Sequence, residues 1–146
     1  MNTIIVACSH CGTKNRIPAD KQHLAAKCGS CKNSISLSGS AVPVELDDST
    51  FAPFITQVTK PVMVDFFSPT CGPCRMLAPV INNLAGKFYN RVIIAKLDTS
   101  TNQMTAAEYR IRGVPTIIFF KNGQAVDQVT GAMPEDELTQ KLNRFA

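Results

Sequence analysis

Six cysteines are the residues best equipped for chemistry in this chain of 146 residues, and all of them fall into C-x-x-C pairs: Cys8/Cys11, Cys28/Cys31 and Cys71/Cys74. Shared spacing conceals two chemistries. The first two pairs form C-x2-C-x16-C-x2-C in a lysine-containing, turn-rich segment. With that spacing, four thiolates from two turns close around one tetrahedral Zn²⁺. Protein fills every ligand position, so the site is expected to be structural. His10 adjoins Cys11 and His23 lies mid-loop, and neither is expected to be a ligand. The competing reading makes the two pairs further redox dithiols.

The third pair reads Cys71-Gly72-Pro73-Cys74 and follows the apolar run Val62-Met63-Val64-Asp65-Phe66-Phe67. A dithiol catalyst needs one accessible thiolate and a second thiol close enough to resolve a mixed disulfide. Two intervening residues on the first turn of a helix meet both needs. Cys71 then sits where unpaired N–H groups and the helix dipole favour a thiolate. Cys74 follows one turn later, more buried and neutral. Pro73 suits a first turn, and Gly72 leaves room for a substrate backbone. The alternative, a zinc half-site or two core cysteines, lacks a partner once the N-terminal four are assigned.

The elements that must hold these pairs can be read from periodicity. Residues 1–38 read as a zinc-binding module of two knuckles joined by a loop, with short strands at Ile4 to Ala7 and Asn33 to Leu37. Residues 39–44 read as a linker, within a small, polar stretch containing Gly and Pro. Residues 45–146 read as the second domain. There, Val44 to Leu46 opens a strand, and Asp48 or Ser49 is expected to cap a helix through Phe51, Phe54, Ile55 and Val58. Val62 to Phe67 suits a buried central strand. From Gly72, a helix with Met76, Leu77, Val80, Ile81, Leu84 and Phe88 on its apolar face is kinked by Pro79. Val92 to Leu97 is a strand, Thr101 to Tyr109 a helix, and Thr116 to Phe120 a strand. Asn122-Gly123 turns the last of these into a hairpin with Gln124 to Val129. Pro134 and three following acids open a last helix. The order β-α-β-α-β-α-β-β-α predicts an α/β sandwich around a mixed sheet.

Composition limits the functional classes. Apolar residues make up 45% and charged residues 18%, ordinary for a globular protein. No apolar stretch approaches the ~20 residues of a membrane-spanning helix, and Met1 to Ala7 lacks the basic and apolar regions of a secretory signal. A cytoplasmic, reducing location is therefore expected, where C-x-x-C means metal or redox chemistry. The net charge of +4 lies entirely in residues 1–40, which carry five basic residues and one acid. Zinc thiolates would reduce it, and residues 1–50 offer no aromatic for base stacking, so nucleic acid is not expected as a partner.

Residues 45–146 resemble thioredoxin. The resemblance rests on Val64 through Pro79, on Arg112-Gly113-Val114-Pro115-Thr116, on Phe120-Lys121-Asn122-Gly123 and on Thr130-Gly131-Ala132, and covers about 70% of the chain. With the cysteine module in front, the whole chain is similar to the bacterial thioredoxin-2 branch of that family. The resemblance implies a thioredoxin fold behind a zinc-ribbon-like module. It assigns Cys71 as nucleophile and Cys74 as resolving thiol, with Asp65 as a buried carboxyl relaying the Cys74 proton and Lys96 as its neighbour. It makes Val114-Pro115 a cis bond and places Thr70, Gly72, Pro73, Gly113, Val114, Pro115 and Gly131 on the substrate surface. It implies disulfide-containing protein substrates, an NADPH-dependent thioredoxin reductase as partner, one structural zinc held by Cys8, Cys11, Cys28 and Cys31, no bound organic cofactor and a monomer. Thr70 and Phe67 stand where the family usually has tryptophans, and the chain has none. The expected function is protein-disulfide reduction. A zinc-switched chaperone, or a partner-recruiting module regulated by the second domain, is the alternative.

Overall fold

The computed structural model describes residues 3–18, 21, 26–35, 41–89 and 91–146. His23 and part of the expected linker lie outside them.

The segment with the most continuous apolar character becomes the centre of the molecule. Strand β6 (Val62–Phe67) is buried from Val62 through Phe66. It lies between β7 (Ile93–Asp98), parallel to it, and β8 (Thr116–Lys121), antiparallel to it. β5 (Val44–Leu46) adds a parallel edge beside β7, and β9 (Gln124–Thr130) an antiparallel edge beside β8. The order across the sheet is β5-β7-β6-β8-β9. The element order beyond residue 44 is the one expected.

Alternation along the strands divides the core into two layers. Val62, Val64 and Phe66 pack with Val44, Leu46, Leu97, Phe51 and Ile55 on the side of α1 (Phe51–Gln57), where Tyr109 also packs. Met63 points the other way, towards α2 (Gly72–Lys87) and α4 (Glu135–Phe145), packing with Leu77, Ile81, Leu84, Leu138 and Leu142. Asp65, two residues from Met63, shares that second face.

Several local details depart from the expectations. Neither Asp48 nor Ser49 caps α1. The Asp47 carboxylate accepts instead from the backbone N–H groups of Ser49 and Thr50, at 2.9 and 2.8 Å. Asp48 ties down α3 (Gln103–Glu108), accepting from the Thr105 N–H at 2.8 Å and its hydroxyl at 2.7 Å. Met76, assigned to the apolar face of α2, is 78% exposed, because that face is narrower than a 3–4 spacing count suggests. Pro79 lies inside α2 without ending it.

The N-terminal module holds two small hairpins: their outer strands overlap the two expected ones, whose residues 36 and 37 lie outside the described residues, and their inner strands fall where a loop was expected between the knuckles. β1 (Thr3–Ala7) pairs with β2 (Lys14–Pro18), and β3 (Ala26–Lys27) with β4 (Ser34–Ile35). Each hairpin tip is a cysteine knuckle. The module's core consists of Val6, Cys8, Cys28 and Ile35, with Tyr89, just beyond α2, packed against it.

Leu138 is fully buried between α4 and the sheet. Leu138→Ala is expected to cost about 2–5 kcal/mol. A lowered midpoint in chemical denaturation, with the folded variant still able to turn over disulfides, is the outcome to look for.

Candidate active site and cysteine cluster

β6 delivers the chain to the C-terminal edge of the sheet, and the next element must start there. Ser68 to Thr70 make the turn, with the Ser68 and Thr70 hydroxyls 3.1 Å apart and the Cys71 N–H donating to the Ser68 carbonyl at 3.2 Å. Cys71 is the N-cap of α2 in extended conformation, and the Cys74 N–H donates to its sulfur at 3.2 Å. A side-chain acceptor at this position satisfies a helix N–H that would otherwise lack a partner. Cys71 and Cys74 are joined as a disulfide with Cα atoms 5.2 Å apart. Cys71 is half-buried and Cys74 is buried, so a substrate reaches the first sulfur more easily.

A second rim faces this dithiol. Val114–Pro115 is cis, and the Val114 carbonyl oxygen lies 3.6 Å from Cys71 Sγ. The Gly131 N–H donates to the Pro115 carbonyl at 2.8 Å, and the Thr116 hydroxyl to Gly113 at 2.6 Å. Gly131 has φ +94°, so a side chain there would be strained. A Cβ at Gly72 or Gly113 would meet no atom within 4 Å. The bareness of these two residues therefore matters only to something approaching from outside. Thr70, Gly72 and Pro73 are exposed on the same rim.

Asp65 lies on the α2 side of β6, only 4% exposed, and its Oδ1 has no hydrogen-bond partner among the described residues. Burial pushes its carboxyl up to about 7, against an opposing pull from the Lys96 ammonium. A carboxyl in that range can hold or release a proton at neutral pH. Lys96 is its register partner on β7, with Nζ 3.5 Å from Glu45 Oε1. Glu45 was not singled out from the sequence. An acid alternating with apolar residues on an edge strand looks solvent-facing until its neighbours are known.

The other four cysteines converge. Their sulfurs all lie within 4.8 Å of one another, with Cys8 to Cys31 and Cys11 to Cys28 both at 3.6 Å. A tetrahedron with Zn–S of about 2.3 Å has an edge of about 3.8 Å, so the arrangement fits that metal. The surroundings suit thiolates at Cys28 and Cys31, whereas burial and the neighbouring Cys31 and Cys11 thiols push Cys8 up. His10 and Ser30 N–H groups donate to Cys8 and Cys28 at 3.4 Å, and the Asn33 amide donates to Cys31 at 3.3 Å. The Asn15 amide reaches Cys28 at 3.6 Å while its oxygen accepts from Gly29. The N–H groups of Cys31 and Ser30 lower the Cys28 thiol to about 6. Asn33 lowers Cys31, through its backbone N–H first and its amide second. The knuckles differ from each other in one respect. Gly12 has φ +78° in the first, but the second uses Lys32 at φ +65°, not Gly29. The His10 side chain is exposed and absent from the cluster.

Comparison with known proteins agrees with this geometry. Residues 42–144 match the thioredoxin family model, and residues 7–33 match the family described as thioredoxin 2, N-terminal. The chain belongs to the thioredoxin family. Thioredoxin C-3 of Corynebacterium nephridii is 33% identical over 97% of this chain and 94% of its own length. Thioredoxin 1 of Nostoc sp. is 42% identical over 68% of this chain and 94% of its own. A solved mutant thioredoxin from Halobacterium salinarum superimposes with TM-score 0.66 at 35% identity, covering 71% of this chain and 90% of that one. The protein therefore has a thioredoxin fold behind an N-terminal zinc ribbon and is a thiol–disulfide oxidoreductase. No helix among its described residues is long and apolar enough to cross a membrane.

In this thioredoxin the sign of the Asp65 effect on stability follows from its raised pKa. The folded carboxyl binds a proton more tightly than the unfolded one, whose pKa is about 3.9. Stability is therefore lost as pH rises from about 4 to about 7, and the full cost is present above that window. Asp65→Asn should stabilise the protein more at pH 8 than at pH 4, by a difference of at most about 4 kcal/mol. Denaturation midpoints of both proteins at the two pH values provide the check. An equal difference at both would mean an ordinary carboxyl.

Proposed function

We propose that the protein is a protein-disulfide reductase working through Cys71 and Cys74. The observation that carries this reading is a half-buried cysteine at a helix N-cap, its sulfur accepting from the Cys74 N–H at 3.2 Å, with Cys74 buried and the buried Asp65 carboxyl on the sheet face that α2 covers. In the reduced protein the Cys71 thiolate attacks one sulfur of a substrate disulfide. That S–S bond breaks, one substrate thiolate leaves, and a mixed disulfide forms. Asp65 takes the Cys74 proton, and the Cys74 thiolate attacks Cys71 Sγ. The second substrate thiolate leaves, the Cys71–Cys74 disulfide closes, and the substrate has gained two electrons.

The rim of Thr70, Gly72, Pro73, Gly113, Val114, Pro115 and Gly131 is assigned to an extended substrate segment, with the Val114 backbone available for pairing. An NADPH-dependent thioredoxin reductase is the proposed source of electrons, and the reducing cytoplasm the proposed location. We divide the chain into a module over residues 1–38, a linker over 39–44 and the catalytic domain over 45–146. Cys8, Cys11, Cys28 and Cys31 would hold one Zn²⁺, which braces a module too small to build a large core. Sulfur spacing and the N–H groups aimed at the sulfurs support that assignment.

Insulin-disulfide reduction tests the reading. Cys71→Ser should reduce turnover to background, whereas Cys74→Ser should accumulate mixed disulfides visible by non-reducing electrophoresis. Rapid multiple turnover by the second variant would reject the mechanism. Metal analysis of reduced protein should find one zinc per chain, and Cys28→Ser should lose it. Four titratable thiols without metal in the parent would reject the zinc site.

A further inference from the structure

The strand register lines up three charged side chains across the sheet. Glu45 on β5 pairs with Lys96 on β7, and Lys96 pairs with Asp65 on β6. Side chains at paired positions on neighbouring strands share one face, so one ammonium stands between two carboxyl groups. It is not shared evenly. Lys96 Nζ lies 3.5 Å from Glu45 Oε1, while Asp65 Oδ1 has no partner among the described residues. Nζ also lies 5.7 Å from the centre of the Phe67 ring. Glu45, Phe67 and Lys96 line a cleft of about 350 Å³ together with Asp98 and Asn102, which gives the ammonium a route to water.

These positions place opposing demands on the lysine. A cation brought against a buried carboxylate favours the ionised form strongly. Lys96 turned fully towards Asp65 would hold that carboxyl ionised and unable to carry a proton at neutral pH. We propose that Glu45 is a positioning residue for dithiol exchange: it draws the Lys96 ammonium to the sheet edge and so leaves Asp65 able to carry the Cys74 proton. The inference rests on the proton-carrying role proposed above for Asp65.

Few other charges compete. On α2 the charged residues Arg75 and Lys87 are both exposed, and Cys71 and Cys74 are joined as a disulfide in the oxidised protein. From β8 the register partner of Asp65 is Ile117, which is uncharged. Asp98, at the end of β7, accepts from the Ser100 N–H and hydroxyl at 2.9 and 2.6 Å. The Asp47 carboxylate is occupied by Ser49 and Thr50. Glu45 is itself exposed, its side chain at 60%. Exposed ion pairs contribute little to stability, so Glu45→Gln is expected to fold.

The test follows the Asp65 carboxyl by ¹³C NMR titration in the full-length oxidised protein, alongside the pH profile of insulin reduction. Glu45→Gln should move the Asp65 midpoint to lower pH by about half a unit, roughly threefold in proton affinity. The acid limb of the rate profile should move with it. Lys96→Met should move the midpoint upward. In the Lys96→Met background the Glu45→Gln shift should shrink to below about a third of its parental size, as expected when one residue acts through the other. No shift, an upward shift, or the same shift with and without Lys96 would overturn the proposal. Asp65→Asn separates the two levels. If it leaves the rate profile unchanged, the proton-carrying role itself fails. If it removes the acid limb while Glu45→Gln does nothing, only the role of Glu45 fails.

Discussion

A buried carboxyl whose Oδ1 has no hydrogen-bond partner among the described residues lies on the sheet face that α2 covers, and much of the second domain serves to keep it there. Ionising Asp65 on the buried face it shares with Met63 and Ile117 is expensive, and burial outweighs the pull of Lys96. That balance requires β6 to be central, α2 to cover its face, and no fixed cation to lie against the oxygen. The helix that completes the cover also begins at Cys71 and presents its N–H groups there. One helix start thus stabilises negative charge on the outer sulfur, while the apolar layer beneath it disfavours charge on the carboxyl. The two thiols become inequivalent through placement, although their covalent chemistry is the same.

The ribbon cysteines use the same spacing to the opposite end. In each knuckle the chain reverses within a hairpin, through Gly12 or Lys32 in left-handed conformation. Both sulfurs of a pair then face inward towards the other knuckle. In the redox pair, the second cysteine has entered a helix, so its sulfur faces only its partner. Convergence of four sulfurs invites a metal, whereas isolation of two leaves a disulfide as their ready product. Asn15 and Asn33 add to the difference by directing amide N–H groups at ribbon sulfurs.

Strong periodicity made most of the sheet and its order legible: Val62 to Phe67, Ile93 to Leu97 and Thr116 to Phe120 lie in strands as their patterns required, with Val92 just outside. The hairpin strands Lys14–Pro18 and Ala26–Lys27 were missed because their residues are mostly polar and their pairing, not their burial, defines them. The role of Asp47 was missed because its carboxylate holds the turn ahead of α1, through the N–H groups of Ser49 and Thr50, and not the helix itself. The six cysteines and Asp65 stood out because few structures tolerate them at those positions without cause. Glu45 acquires meaning only through register, which brings residues 45, 65 and 96 side by side and which no local pattern encodes.

The chain has two tyrosines and no tryptophan, and the fold places the two in separate environments. Tyr89 lies half-buried against the ribbon core. Tyr109 lies on the opposite side of the sheet, with ring centres 5.3 Å from Phe51 and 5.4 Å from Phe120. The intrinsic chromophores are therefore divided by module: one senses whether the ribbon is seated, the other whether the aromatic layer of the catalytic domain is intact. With no indole to obscure either, near-ultraviolet spectroscopy of this protein can follow undocking and unfolding as two distinct optical events.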